Sequence, residues 1–457
     1  MSVETSPVVS PPAQPLRWYQ GLTKYHWWVF IVGALAWLFD CADQRIFMLA
    51  RTPALSELLG LPQTDGHVVD YATYATASTM VGWAVGGLFF GIMGDRWGRV
   101  KTLSISILVY SLFTGLSGLA HTGWSFCLYR FLMGGGIGGA FAAAATLIAE
   151  TLPEHARATC LGLFSALSVL GNMSGSLLAL VLFAPEQRYF SQWVEGGIAG
   201  WRLLFFVGAL PAFLVVFVIL TLKESAQWQA ARKLARENIE RQLGDLRSMF
   251  GHPRWRTHTL VAVGMATAGI VGVWGVGFFS PELINDALRD LPKTELSRVK
   301  SVGTLLQDVG GFLGILTLTF LATHVGRRTG FAIAFLGGFV SICVTFLTLQ
   351  SKWQAYAMLP IVGLFTIGVM GGFVIYFPEI FPTRLRSTGT AFGYNVARFS
   401  AAAVMLLGNN IRDALRALEF ANPFRVGMVI LSGIYLLGLV VLIWAPETRG
   451  RPLPEDE

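Results

Sequence analysis

Twelve runs of about 20 mostly apolar residues, separated by short polar loops, organise this chain of 457 residues. A helix needs about 20 residues to cross a hydrocarbon layer of about 30 Å, and helices satisfy their own backbone there. The pattern therefore predicts an all-α membrane protein. Its spans are expected at 27–49, 71–93, 102–120, 124–149, 157–184, 201–222, 258–284, 299–322, 330–349, 354–377, 387–410 and 424–445. Composition agrees, because 13% charged residues is far below the roughly 25% of water-soluble domains.

Short patterns recur where one run ends and the next begins. Gly94-Asp95-Arg96-Trp97-Gly98-Arg99 is echoed by His324-Val325-Gly326-Arg327-Arg328. Glu150, Pro153 and Arg157 keep the same spacing as Glu379, Pro382 and Arg386. Trp201-Arg202 followed by Lys223-Glu224-Ser225 recurs as Phe424-Arg425 followed by Pro446-Glu447-Thr448. Two equivalent six-helix halves explain this duplication, and such pseudo-symmetry points to alternating-access transport.

The net charge of +7 resides in loops, which argues for topology and against a nucleic-acid partner. With the N-terminus inside, the cytoplasmic loops collect about 20 Lys and Arg against about nine outside. Both termini are thus expected in the cytoplasm of a multi-pass protein of the plasma or inner membrane. The expected organisation is a disordered tail at 1–26, an N-terminal half at 27–222, an amphipathic linker at 223–257, a C-terminal half at 258–445 and a tail at 446–457. The four cysteines lie in apolar runs without metal-ligand spacing. No nucleophile triad, phosphate-gripping loop or Cys/His cluster is present, so no enzyme activity, metal, cofactor or nucleotide drive is expected. The expected partners are a small solute, protons and lipid, bound by a monomer.

With these residues in view, the whole length resembles the major facilitator superfamily, nearest to its sugar-porter and metabolite–proton symporter branches. Gly94 to Arg99 resembles the signature loop after span 2, and Arg130-Phe131-Leu132-Met133-Gly134-Gly135-Gly136 resembles the opening of span 4. Pro378 to Arg386 and Pro446-Glu447-Thr448-Arg449-Gly450 resemble the loop 10–11 and post-span-12 signatures. There are departures. His324 stands where the family has an acid, and Gly272-Val273-Trp274-Gly275-Val276-Gly277-Phe278-Phe279 replaces the glutamine-rich sugar pattern of span 7. The resemblance therefore implies a small metabolite rather than a sugar.

Ionisable residues inside spans are costly and mark aqueous cavities or partners. Asp40 and Asp43 share a helical face, and two carboxylates in low dielectric do not both ionise cheaply. Their spacing resembles that of aromatic-acid–proton symporters, which puts Asp43 in the place of the proton-coupling acid and Arg130 in that of its partner. A permanent Asp–Arg bridge is the alternative, and a bound cation a third. In span 11, Asn395 and Arg398 share a face, and Arg398 is a fork for a carboxylate unless Asp308 or Glu282 claims it. The solute site is expected to involve Arg398, Asn395, Tyr394, Arg45, Asp308 and Trp274, although Arg45 also has the option of snorkelling to the outer interface. Tyr74, Trp83, Phe164, Phe278, Tyr376 and Phe392 are further candidates for apolar walls.

Loop acids and arginines are expected to close the inner mouth: Asp95, Arg96, Gly98, Arg99, Glu150, Arg157 and Glu224 from one half, and Arg327, Arg328, Glu379, Arg386 and Glu447 from the other. Together these features predict a secondary transporter that moves a carboxylate metabolite with protons. A sugar–proton symporter, an uncoupled facilitator and a transporter-like sensor are the alternatives.

Overall fold

The computed structural model describes residues 17–62, 65–182, 188–189, 197–237, 243–276, 279–418 and 422–455. The start of the expected N-terminal tail, Ile239 and Arg241 of the expected linker, and Phe278 lie outside the described residues. Among the described residues, eleven helical segments are long and apolar enough to cross a membrane, and the helix Arg386–Ala417 supplies the remaining position, span 11. The architecture is thus the expected all-α bundle of twelve spans in two halves.

In the first half the spans are Lys24–Leu59, Gly66–Trp97, Arg99–Gly118, Gly123–Thr151, Glu154–Leu182, and a sixth made of Gly200–Gly208 and Ala212–Thr221. Side-chain caps start several of them. Thr23 with His26 and Thr122 with Ser125 form reciprocal capping boxes, and Asp65 accepts from the His67 N–H. A two-residue hairpin, Arg188–Tyr189 against Ile198–Ala199, precedes span 6. Pro211 cannot donate to the helix ladder, and span 6 breaks there.

Span 1 runs past Pro53 to Leu59, ten residues beyond the expected end at 49, and stops on the left-handed Gly60 (φ 66°). Tertiary packing overrides the local signal. Ala54 and Leu55 are fully buried in a second cluster with Phe47, Phe126, Trp201 and Phe205.

In the second half, spans 8, 9 and 11 are single helices: Lys293–His324, Arg327–Thr348 and Arg386–Ala417. Span 10 is Lys352–Thr366 continued by Gly368–Ile380, and span 12 is Pro423–Ser432 continued by Ile434–Val441. Span 7 corrects the expectation of one helix over 258–284. It begins at Pro253, gives way to a π turn at Val271–Val276, and resumes as Ser280–Ala287. Such turns re-aim side chains and concentrate at functional sites.

Glycines let the spans touch backbone to backbone. A Cβ added at Gly86 of span 2 would lie 2.2 Å from the Cα of Gly135 in span 4. One at Gly87 would lie 2.2 Å from Nδ2 of Asn395, in the opposite half. Between the halves, Ala226–Glu237 forms a short helix that buries Trp228 and Ala231 against Leu243, and Leu246–Gly251 forms a second one capped by Asp245.

Candidate functional site

Between the halves lies a cavity of about 450 Å³, within the range of small-molecule sites. Trp37, Cys41, Gln44 and Arg45 of span 1, Trp83, Phe141, and Ser165, Ser168 and Asn172 of span 5 form its wall in the first half. Val273 and Trp274 of the π turn, Thr304, Gln307 and Asp308 of span 8, Met370, Tyr394 and Arg398 form its wall in the second. The interrupted helix of span 7 thus delivers Trp274 to the site.

Arg398 is the dominant charge of this cavity. Its guanidinium lies 3.8 Å from the centre of the Trp83 ring and 4.5 Å from that of Tyr394. Nη1 donates to Oδ1 of Asn395 (2.7 Å) and to the Tyr394 carbonyl (3.1 Å). Asn395 in turn donates to the Ala391 carbonyl, which fixes its orientation. Among the described residues no carboxylate lies within ion-pair distance of Arg398; Asp40 is the acid that acts on it at longer range. Neither acid expected to compete for it pairs with it among the described residues. Asp308 accepts from Nη2 of Arg45 at 2.9 Å, and Glu282 is exposed.

The Arg45–Asp308 pair crosses between the halves in the part of the cavity away from the chain ends, with its side chains 28% and 29% exposed. Arg45 therefore does not snorkel to the outer interface. Below it, Phe141 of span 4 stacks on Tyr394 of span 11 at 4.6 Å and packs at a tilt on Trp37 at 4.7 Å.

Asp43 and Arg130 meet, but away from the cavity. Nη1 of Arg130 lies 3.6 Å from Oδ2 of Asp43, both side chains are fully buried, and Nη2 donates to Thr114 at 3.3 Å. The guanidinium is sandwiched 4.9 Å from the rings of Phe47 and Phe205. Of the charged groups of spans 1, 4 and 11, Arg398 and Arg45 line the cavity, whereas Asp40, Asp43 and Arg130 are buried and are not among its lining residues. Asp40 links the two sets. It is fully buried, takes a long contact of 3.5 Å from Gln44, and lies within electrostatic range of both Asp43 and Arg398.

At the face that carries both chain ends, a polar network closes the space between the halves. Glu150 accepts from Nε (3.2 Å) and Nη2 (2.8 Å) of Arg99 in its own half, from Nη1 of Arg386 (2.9 Å) in the other, and from Ser225. Asp95 pairs with Arg99 at 3.1 Å. It also crosses to the start of span 11, accepting from the N–H of Ser387 (3.1 Å) and of Thr388 (2.8 Å) and from the Thr388 hydroxyl (2.6 Å). A carboxylate at a helix N-terminus is favoured by the unpaired N–H groups there.

Two further carboxylates act as helix caps, a role the motif spacing does not reveal. Glu224 accepts from the N–H groups of Arg99 (2.7 Å), Val100 (3.1 Å) and Lys101 (3.3 Å). Glu447 does the same for Arg327 (3.0 Å) and Arg328 (3.1 Å). Partial burial pushes the Glu447 carboxyl up, but the N–H groups of Arg327, Arg449 and Arg328 outweigh that and hold it below its ordinary value. Each capped helix starts after a glycine of positive φ, Gly98 (113°) and Gly326 (139°). A Cβ on Gly98 would sit 2.3 Å from a Glu224 oxygen, so only glycine fits.

Other expected gate residues divide. Arg327 binds Glu379 through two bonds (3.1 and 2.8 Å), within the second half. Arg157, the sequence counterpart of Arg386, has no carboxylate within 4 Å among the described residues, although Glu379 is its main attraction. Arg96 donates to the Leu243 carbonyl at 3.3 Å rather than to an acid, and Arg328 contributes its backbone. Of the wall aromatics, Trp83 and Trp274 line the cavity. Phe164 stacks behind Trp37, Tyr74 stacks on Trp124, Tyr376 donates to the Pro446 carbonyl and Phe392 packs on Phe250. The missed polar lining had a signal: Ser165, Ser168 and Asn172 recur at helical spacing on one face of span 5.

The sequence matches the family described as "Sugar (and other) transporter" over residues 20–457. A probable 4-methylmuconolactone transporter of Cupriavidus pinatubonensis is 26% identical, over 95% of this chain and 93% of its own. The cis,cis-muconate transport protein of Acinetobacter baylyi is also 26% identical, over 93% and 96%. The solved proton:xylose symporter XylE of E. coli superposes with a TM-score of 0.73 at 19% identity, over 94% of this chain and 98% of XylE. That likeness establishes the fold.

Proposed function

Because the chain belongs to the sugar (and other) transporter family, we propose that it carries a small organic carboxylate across the membrane together with protons. The observation that carries this reading is Arg398. A buried guanidinium facing a cavity, with no acid at ion-pair distance among the described residues, is costly unless a ligand supplies the countercharge. Its position over Trp83 and Tyr394, beside Trp37, Phe141 and Trp274, suits a planar conjugated acid. The relatives that handle muconate and a muconolactone support the same class of cargo.

Coupling follows from Asp40 and Asp43. A substrate carboxylate on Arg398 takes up the positive charge that Asp40 otherwise senses and adds a negative one nearby. Anion and proton binding then reinforce each other, which is the sign needed for symport. Asp43 and Arg130 extend this buried chain. Alternating access comes from breaking the crossing bonds of Glu150 and Asp95 at one face while the Arg45–Asp308 pair forms and breaks at the other. The Lys and Arg bias assigns the face of Glu150 and Asp95 to the cytoplasm.

Uptake into proteoliposomes tests the reading with cis,cis-muconate, benzoate and xylose as solutes. Accumulation of a carboxylate under an inside-alkaline pH gradient, lost in Arg398→Gln, is expected. Equilibration without accumulation means a facilitator, xylose uptake alone means a sugar carrier, and absence of flux for all three rejects the proposal.

A further inference from the structure

A second cleft, of about 590 Å³, opens at the inner end of span 3 and lies apart from the transport cavity. Its walls carry Lys101 from the first turn of span 3, and Lys223, Arg232 and Lys233 from the segment that follows span 6. The acid there is Glu224, and its two oxygens are already committed to the N–H groups of residues 99 to 101. Among the described residues, no carboxylate lies within ion-pair distance of the three lysines. Arg232 is held 5.0 Å from the centre of the Trp228 ring, so one donor fork is fixed in place. Four cations around one occupied carboxylate make a site for a phosphate-bearing anion.

The position of the cleft selects the source of that anion. Lys223 lies two residues beyond Thr221, where span 6 ends. The neighbouring surfaces of spans 6 and 3 are apolar and exposed, with Phe217 at 54%, Leu220 at 76% and Leu112 at 58%. In a bilayer those side chains face acyl chains, and the cleft sits at headgroup level directly beside them. We propose that this cleft binds the phosphate of an anionic phospholipid headgroup whose chains lie along spans 3 and 6.

The test titrates the purified full chain in neutral detergent with short-chain phosphatidylglycerol, with phosphatidylcholine and with inorganic phosphate, following binding by thermophoresis. Each interfacial lysine is worth about fivefold, so K101Q/K223Q/K233Q should weaken phosphatidylglycerol about hundredfold. A control, K24Q/R256Q/R451Q, removes the same charge from exposed residues elsewhere on that face and should stay within about twofold. If the triple variant aggregates, Lys101→Gln alone should give about a fivefold loss. Equal weakening by both triples, equal affinity for phosphatidylcholine, or competition by inorganic phosphate at lipid concentrations would each overturn the proposal. The last of these would assign the site to a soluble anion.

Discussion

Replacing Asp95 by Asn tests the proposed closure at the face that carries both chain ends. The wild-type carboxylate makes three bonds to Ser387 and Thr388, and all three cross between the halves. Hydrogen bonds to a charged group contribute about 1.5–3 kcal/mol each. Asn keeps one acceptor, loses the charge and turns an amide donor toward the Thr388 N–H. The net loss is therefore about 2–4 kcal/mol, specific to the state in which the halves meet. At 1.4 kcal/mol per tenfold, the closed state should lose about 30- to 700-fold in weight. Spin labels at Trp97→Cys and Val325→Cys, exposed positions at the ends of spans 2 and 8 in opposite halves, report the distance by pulsed EPR once the four native cysteines are replaced. Glu447→Gln is the control, because that carboxylate caps the start of span 9 within its own half. Longer distances in Asp95→Asn, and an unchanged distribution in Glu447→Gln, are expected. Equal shifts in both, or none in Asp95→Asn, would refute the assignment of Asp95 to closure.

Arg398→Gln should weaken muconate binding by about 2–4 kcal/mol, the value of losing charge-assisted bonds, as read by calorimetry; Arg398→Lys should recover only part, because the planar fork and its stacking on Trp83 are lost. Gly98→Ala should lower the Tm by straining a residue at φ 113° and pushing the Glu224 cap aside, a cost of about 1–3 kcal/mol, whereas Gly251→Ala, in open space, should not. Glu447 is held below its ordinary value of 4.5, so its capping contribution is complete above that pH and is lost as pH falls through the depressed value. The Tm gap between wild type and Glu447→Gln should therefore be constant at neutral pH and close below about 4.5.

The membrane architecture is legible in the amino-acid sequence because its signals are long and repeated. Hydrophobic run length fixes the number of spans, and the recurrence of Glu, Pro and Arg implies equivalent helix ends. The same duplication misleads about partners. Arg157 and Arg386 hold matching sequence positions, yet only Arg386 pairs across the halves, because one conformational state breaks the symmetry. The second loop departs at a different residue from the one expected: with Gly326 and Arg327 matching Gly98 and Arg99, the counterpart of Asp95 is Thr323 and His324 takes the place of Arg96, so the second half lacks that acid. The partner of Asp308 is undecidable from sequence: it depends on how span 1 faces span 8, a tertiary fact. The π turn of span 7 leaves no signal, because an apolar run keeps its composition when one turn widens. Glu224 and Glu447 read as gate acids, but their role as helix caps needs the fold of the chain after spans 6 and 12.

In the proposed mechanism, the buried acids Asp40 and Asp43 couple proton binding to a carboxylate at Arg398. Liposomes loaded with a pH-sensitive dye report this directly when a muconate gradient alone is applied. Wild-type protein should acidify the lumen as muconate enters, whereas Asp40→Asn and Asp43→Asn should exchange muconate without moving protons. Muconate entry with no change of luminal pH in the wild type, or full acidification in both variants, would contradict the account.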